Sequence, residues 1–297
     1  DPAFYARAEE ALGQAEVKAP GDYQARRARV WIKLGQHRFA EARDEARALN
    51  RSAPDDLLVY ELLADAHLEL LEYREAEEAL QWMMNLRPGN VPVLTRAAYL
   101  RELIGDVDGA LQFMGDAFHR TSPDESEDRA WILTQIAHLY LSTGRVTEAE
   151  TAAQKALSLF PDYHYALAQL AGVRTAQGRH SDAAELLRQR YRQAPHPENL
   201  YDVGRALLRA GRAAEARRAF AEFEANARAE MHSADNCNRE LSAYYVDQAR
   251  RPAAGLQVAK IEVARRRDVF TLGAHAWALH AAGRTREARA QIEAALA

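Results

Sequence analysis

The sequence has little cysteine and no long apolar run, and each scarcity excludes a class of protein. Only one cysteine, Cys237, stands among the 297 residues, so no disulfide can form within the chain. We expect Cys237 to be a small buried hydrophobic residue of a helix rather than a reactive thiol. No stretch approaches the roughly 18 apolar residues of a membrane-spanning helix, so no membrane span is predicted.

Motifs of catalysis, metal binding and nucleotide binding are missing as well. The ten histidines follow no metal-ligand spacing such as H-E-x-x-H, so neither a metal site nor a cofactor is predicted. No glycine-rich phosphate loop and no G-x-S-x-G turn occurs. A formal charge of −4 does not favour nucleic-acid binding. The sequence therefore predicts a protein that is not an enzyme and does not bind nucleic acid.

What the sequence does contain is a repeat of about 34 residues. Small residues occupy the eighth and the twentieth position of every repeat, and apolar residues recur at the spacing of amphipathic helices. The repeats start at Gly21, Leu57, Val91, Ala130, His164, Pro197, Asp235 and Val269. The eighth positions are Ala28, Ala64, Ala98, Ala137, Ala171, Gly204, Ser242 and Ala276. The twentieth positions are Ala40, Ala76, Ala110, Ala149, Ala183, Ala216, Ala254 and Ala288.

Turn residues divide each repeat into two helices. Glycine stands at the fifteenth position of six repeats, where its left-handed backbone ends the first helix. Leu71 and Ala249 stand there in the other two. At Leu71 a turn without glycine must form, whereas near Ala249 we expect Pro252 to stand in the first turn of the next helix. Prolines such as Pro88 and Pro161 end the second helix. Because small residues at the eighth and twentieth positions let two helices approach closely, each repeat is predicted to be an antiparallel helix pair.

Residues 141–163 and 208–224 resemble the tetratricopeptide repeat, and the resemblance extends over nearly the whole chain. It implies an all-α fold, a right-handed superhelical solenoid of antiparallel helix pairs. The run of repeats looks like bacterial multi-repeat proteins without an assigned activity. We expect one continuous solenoid of eight repeats over residues 21–297, with residues 1–20 as the second helix of an incomplete earlier repeat.

The resemblance also implies where a partner binds. In this family the first helix of each repeat lines a groove, chiefly through positions two, five, nine and twelve. We expect a protein or peptide partner there, with aromatic and arginine side chains as the strongest contacts. Packing between repeats is an equally good interpretation of Trp131 and Tyr165. The candidate groove residues are Arg29, Glu61, Asp65, Tyr99, Trp131, Thr134, His138, Tyr165, Tyr201, Arg205 and Trp277.

Three functions remain open at this point. The chain is expected to be a non-catalytic scaffold that assembles a complex through the groove. The alternatives are a regulatory or targeting module of a larger enzyme or signalling protein, and a homo-oligomeric structural protein. No polar capping helix follows the last repeat, which predicts a longer protein or a homodimer formed through that face.

The first residue, Asp1, is not an initiating methionine, which is consistent with removal of a leader or a longer N-terminal part. We therefore expect a periplasmic or otherwise exported protein in preference to a cytoplasmic one.

Overall fold

The computed structural model describes residues 2–233, 236 and 238–296. The predicted repeat start at Asp235 and the predicted burial of Cys237 lie outside these residues.

Over the described residues the chain is all-α, as the sequence predicts, and contains no strand. Consecutive helices pack against each other in pairs, among them α4 with α5, α8 with α9 and α10 with α11. The chain is therefore an all-α protein of repeated helix pairs. The helices are α1 (Pro2–Lys18), α2 (Tyr23–Gly35), α3 (Phe39–Ser52), α4 (Leu57–Glu69), α5 (Tyr73–Leu86), α6 (Val91–Leu103), α7 (Val107–Arg120), α8 (Ser126–Ser142), α9 (Val146–Leu159), α10 (His164–Ala176), α11 (His180–Gln193), α12 (Pro197–Arg209), α13 (Ala213–Glu230), α14 (Arg239–Ala243), α15 (Pro252–Val263), α16 (Val269–Ala281) and α17 (Thr285–Leu296).

The contacts within the chain define two compact units. Unit 1 consists of Asp1–Arg96 and Glu230–Ala297, and unit 2 consists of Ala97–Ala229. Unit 1 thus contains the helices of both ends of the sequence, and unit 2 contains the middle. The expected division into eight repeats of one continuous solenoid stays a prediction.

Five of the eight predicted repeat starts coincide with the first residue of a helix, namely of α4, α6, α10, α12 and α16. Local side chains explain several of these starts. The Asp56 carboxylate accepts a hydrogen bond from the Leu58 amide, and the Asp268 carboxylate accepts from the amides of Phe270 and Thr271. Such caps satisfy amide groups that have no partner within the helix, and so they fix where the helix begins.

The predicted frame of the first repeat is wrong by two residues. Ala28 and Ala40, expected at the close helix contacts, are exposed, whereas Val30 and Ala42 are fully buried. The reason is that α2 begins at Tyr23 and its terminal turn is made by His37, with a positive φ of 56°. A valine, not a small residue, therefore stands at the eighth position of this repeat.

The seventh predicted repeat changes frame in its middle. α14 continues into a π-helix over Tyr244–Gln248, whose wider turn inserts an extra residue. Gly255, not Ala254, then makes the close contact of the twentieth position. A Cβ on Gly255 would lie 2.7 Å from Val246 Cγ2 and 3.0 Å from the Ser242 carbonyl oxygen. The same insertion places the left-handed residue of this repeat at Arg250, with a φ of 54°, one residue after the predicted fifteenth position.

With these corrections, a left-handed residue follows the first helix of every pair. The prediction of a turn without glycine at Leu71 is confirmed, since its φ is 64°. The eight residues are His37, Leu71, Gly105, Gly144, Gly178, Gly211, Arg250 and Gly283.

Unit 1 also contains a contact between its two chain segments that no repeat periodicity indicates. The Arg267 amide donates to the Glu69 carbonyl oxygen at 2.7 Å, and Arg266 Nη2 lies 2.8 Å from Glu69 Oε2. The Val269 amide donates to the Tyr73 hydroxyl at 3.4 Å. The α15–α16 connection is therefore fixed to the turn between α4 and α5, although solenoid repeats generally contact only their neighbours in sequence.

Candidate partner-binding surface

The predicted groove residues fall into two sets. Unit 1 contains Arg29, Glu61, Asp65 and Trp277. Unit 2 contains Tyr99, Trp131, Thr134, His138, Tyr165, Tyr201 and Arg205. The two sets are therefore described separately.

In unit 1, Arg29 links neighbouring helices. Its guanidinium lies 3.2 Å from Glu16 of α1 and 3.7 Å from Glu45 of α3. In the corrected frame the ninth position of the first repeat is Trp31, a residue that is 61% exposed. Because the predicted frame was wrong by two residues, the prediction named Arg29, which is paired within the chain, and missed the exposed Trp31.

Glu61 and Asp65 join α4 to α6. The Arg96 guanidinium binds Asp65 through two hydrogen bonds of 2.7 and 2.8 Å, and its Nη2 lies 3.7 Å from Glu61 Oε2. Burial raises the pKa of Glu61. These two carboxylates therefore have a structural partner within the chain, in a geometry that is strong and directional.

Trp277 is the aromatic residue among the predicted residues of unit 1. It is 51% exposed, and its indole Nε1–H donates to Asp247 Oδ1 at 2.9 Å. A half-exposed tryptophan whose indole N–H already has a hydrogen-bond acceptor is suited to contact a partner.

In unit 2 two predicted residues are buried and cannot contact a partner. Thr134 is fully buried, and its hydroxyl donates to the Trp131 carbonyl oxygen at 2.6 Å. Tyr201 is 3% exposed because its ring packs against Phe220 and Phe223 of α13. In the fourth and sixth predicted repeats the fifth position therefore belongs to the interior and not to a groove.

His138 is half-exposed and bonded to the preceding helix pair. Its Nε2 lies 2.7 Å from Glu102 Oε1 on α6, and this hydrogen bond raises the pKa of His138. Tyr99, also on α6, is half-buried.

Trp131, His164 and Tyr165 form what we call the aromatic surface of unit 2. Tyr165 is 45% exposed, and its ring centre lies 3.9 Å from that of His164 and 5.5 Å from that of Tyr163. Trp131 is half-buried and packs against the core cluster that contains Tyr163. Burial raises the pKa of Tyr163 to about 12, so this phenol stays neutral and anchors the surface. Tyr165 is exposed for contact, whereas Trp131 partly serves the core.

A recess lies beside Arg205, among α10, α11 and α12. Its volume is about 220 Å³, and small side chains form its floor while two arginines stand at its edge. Arg205 is exposed, with its guanidinium carbon 5.6 Å from the centre of the Tyr201 ring. The recess is lined by Ala168, Ala171, Gly172, Thr175, Leu187, Asp202, Arg205, Ala206 and Arg209.

Sequence reasoning did not select this recess, although a signal was present. Ala168 and Gly172 occupy the fifth and ninth positions of one predicted repeat, and Arg205 occupies the ninth position of the next. Because both of these neighbouring groove positions carry a small residue, a space remains between the helices. Longer side chains nearby, such as Arg205, line that space.

Two further features of the described residues bear on function. None of their helices combines the length and apolar character that crossing a membrane requires. Across the same residues, no group of three or more His, Cys, Asp or Glu side chains is placed to hold a metal ion.

The tetratricopeptide-repeat family model matches residues 132–163, which cover most of α8 and all of α9. This segment matches one tetratricopeptide repeat, and the described residues have the helical-repeat fold of tetratricopeptide proteins. No protein of curated function matches the sequence. Tetratricopeptide proteins are in general non-catalytic scaffolds for protein interactions.

Solved structures with the same fold include proteins of diverse kinds. A tetratricopeptide repeat protein from Parabacteroides merdae is 12% identical over 93% of this chain and 99% of its own, with a TM-score of 0.56. The human IFIT1 dimer with m7Gppp-AAAA is 14% identical over 98% of this chain and 77% of its own, with a TM-score of 0.60. A chain of the APC/C hetero-tetramer Cut9–Hcn1 is 11% identical over 96% of this chain, with a TM-score of 0.60. This chain spans only 51% of that last protein, and at these identities the likeness shows the fold alone.

Proposed function

We propose that the chain is a non-catalytic scaffold that binds a protein or peptide partner along the first helices of unit 2 and so assembles a complex. The observation that carries the proposal is the aromatic surface, in which Tyr165 is 45% exposed on the first helix of its pair. Exposed aromatic and arginine side chains are the types most often found at the energetic centre of an interface. Arg205 stands on the first helix of the next pair.

Peptides selected from a random library on the immobilised chain test this proposal. We expect Tyr165→Ala to weaken the selected peptides at least about tenfold, which corresponds to about 1.4 kcal/mol of binding free energy. Affinity is measured by fluorescence anisotropy on variants whose helix content is confirmed by circular dichroism.

The matched control is Trp82→Ala. Trp82 is 54% exposed, but it lies on α5, the second helix of a pair in unit 1. This substitution should leave the selected peptides bound with unchanged affinity. Equal losses in the two variants, or the failure of any peptide to be selected, would show that the aromatic surface is not a binding surface.

The homodimer and the exported location stay predictions. Light scattering of the purified chain checks the first, because a homodimer would double the measured mass.

A further inference from the structure

We propose that the recess beside Arg205 and Arg209 binds the carboxylate of an aspartate or glutamate side chain within an extended peptide. The proposal rests on the proposed function, since it names the chemistry of the partner that this face of unit 2 recognises. It concerns Arg209 and the floor of the recess, which the aromatic surface does not include.

The first argument is the free charge at the recess. Neither Arg205 nor Arg209 has an ion-pair partner within the described part of the chain. Four arginines of the neighbouring helix pairs in unit 2 lie within 2.5 to 2.8 Å of a carboxylate on another helix. These are Arg174 with Glu150, Arg188 with Glu215, Arg190 with Asp202, and Arg212 with Glu185. Two adjacent unpaired guanidinium groups in such surroundings are available to an external anion.

The one acidic residue of the recess is already neutralised. Asp202 Oδ2 lies 2.8 Å from Arg190 Nη1. The charge that remains uncompensated at the edge of the recess is therefore positive, from Arg205 and Arg209.

The spacing of the two arginines suits a single ligand. They are four residues apart on α12, so both side chains stand on the same face of the helix. Arg209 is the last residue of α12, where a cation is favoured by the helix dipole without any ligand. Arg205 lies one turn further inside the helix, where this effect has weakened, and it still borders the recess. The helix dipole therefore accounts for Arg209 without a ligand, but it does not account for Arg205.

The floor of the recess fits an aliphatic stem beneath a carboxylate. Ala168, Gly172 and Leu187 line it, and a Cβ on Gly172 would lie 3.0 Å from Leu141 Cδ1. A larger residue at Gly172 would require the Leu141 side chain of the neighbouring pair to shift. None of the side chains that line this recess is aromatic. Binding of single-stranded nucleic acid relies on aromatic rings for base stacking, so a peptide is favoured over RNA.

A direct binding experiment uses the whole chain and three fluorescent probes. The first is a capped octapeptide of alternating glutamate and alanine, and the second replaces each glutamate by glutamine. The third is a single-stranded oligoadenylate. We expect the glutamate peptide to bind at least about tenfold more tightly than the glutamine peptide, because charge-assisted hydrogen bonds to arginine are lost in the second.

Reversing the charge of both arginines tests whether they are the groups that bind the glutamate peptide. In Arg205→Glu with Arg209→Glu, the glutamate peptide should lose at least about tenfold in affinity, and a capped peptide of alternating lysine and alanine should now bind. Arg217→Glu with Arg228→Glu is the control, since it changes the net charge equally at exposed residues of α13. The control should retain the preference for glutamate. Ala168→Leu, which fills the floor without altering charge, should also weaken the glutamate peptide.

Each contrary outcome overturns the proposal. Equal binding of the glutamate and glutamine peptides, or equal losses in the two double variants, would mean that the recess does not recognise a carboxylate. Tighter binding of the oligoadenylate, lost in Arg205→Glu with Arg209→Glu, would assign the recess to nucleic acid instead. If library-selected peptides still depend on Tyr165 in these cases, the proposed scaffold function stands and only the acidic specificity fails.

Discussion

The hydrogen bond between His138 and Glu102 couples a candidate groove residue to pH. His138 is nearly half exposed, with 45% of its side chain accessible, and Glu102 is 20% accessible, so the pair is within reach of solvent and of a partner. Because the bond favours the protonated imidazole, the pKa of His138 is raised above its ordinary value of about 6.5. The His138 imidazole therefore stays protonated to a higher pH than an isolated histidine, with the Glu102 carboxylate as its counter-ion.

Glu102→Gln is expected to lower the pKa of His138, because the amide does not stabilise the imidazolium as the carboxylate does. In the wild type the stabilisation from this pair is fully present below about pH 6.5 and is lost as pH rises through the higher pKa of the folded state. Titration of the His138 ring protons by NMR measures the shift. Glu148→Gln, which removes a carboxylate paired with Arg145, should leave the His138 titration unchanged. An unchanged pKa of His138 in Glu102→Gln would mean that the bond is absent in solution.

Residue-level reasoning from the sequence identified part of the candidate surface. Tyr165 at a second position and Trp277 at a ninth position are exposed, whereas Trp131 and Tyr99 at the same positions are half-buried. Burial of Thr134 and Tyr201 could not be predicted, because it depends on contacts such as the Phe220 and Phe223 rings on another helix. Whether an acidic groove residue is free or paired likewise depends on a cation in the next repeat.

At the level of the helix, repeat periodicity predicted where most helices begin. It was less successful in the first and seventh repeats, where it named the wrong residues at the close contacts between helices. Helix starts set by a cap or a proline, as at Leu57 and Pro197, agree with the expected positions. The first repeat differs because alanines at Ala28 and Ala40 imitate the small-residue pattern two residues too early. Composition alone cannot distinguish an alanine that packs from one that faces solvent, since both are good helix formers.

A pair of identical substitutions tests the corrected frame. Ala42 is fully buried, whereas Ala40 on the same helix is exposed. Ala42→Leu should lower the free energy of unfolding by about 1–3 kcal/mol, because an added side chain overpacks the contact between helices. Ala40→Leu should change it by less than about 0.5 kcal/mol, as surface substitutions usually do. Urea denaturation followed by circular dichroism measures both, and the reverse order of effects would restore the frame that begins at Gly21.

At the scale of the whole chain, the contact within unit 1 between Glu69 and the α15–α16 connection could not have been predicted. It joins residues almost two hundred positions apart, and neither segment carries a motif that names the other. The triplet Arg265–Arg267 suggests only a favourable end to a helix. In the structure Arg266 is 11% exposed, binds Glu69, and places its guanidinium carbon 5.1 Å from the centre of the Phe39 ring. Burial raises the pKa of Glu69, so its ionised form depends on the neighbouring arginine.

Arg266→Ala is expected to lower the free energy of unfolding by about 1–2 kcal/mol, less than for a fully buried pair because Glu69 is 27% exposed. The adjacent Arg267→Ala is the control. Its side chain is exposed, and the substitution keeps the backbone amide that donates to the Glu69 carbonyl oxygen. Hydrogen exchange of the Arg267 and Val269 amides should accelerate in Arg266→Ala and stay slow in Arg267→Ala, because only the former releases the connection from α4 and α5. Equal stability and equal exchange in the two variants would mean that the ion pair does not hold the two segments of unit 1 together.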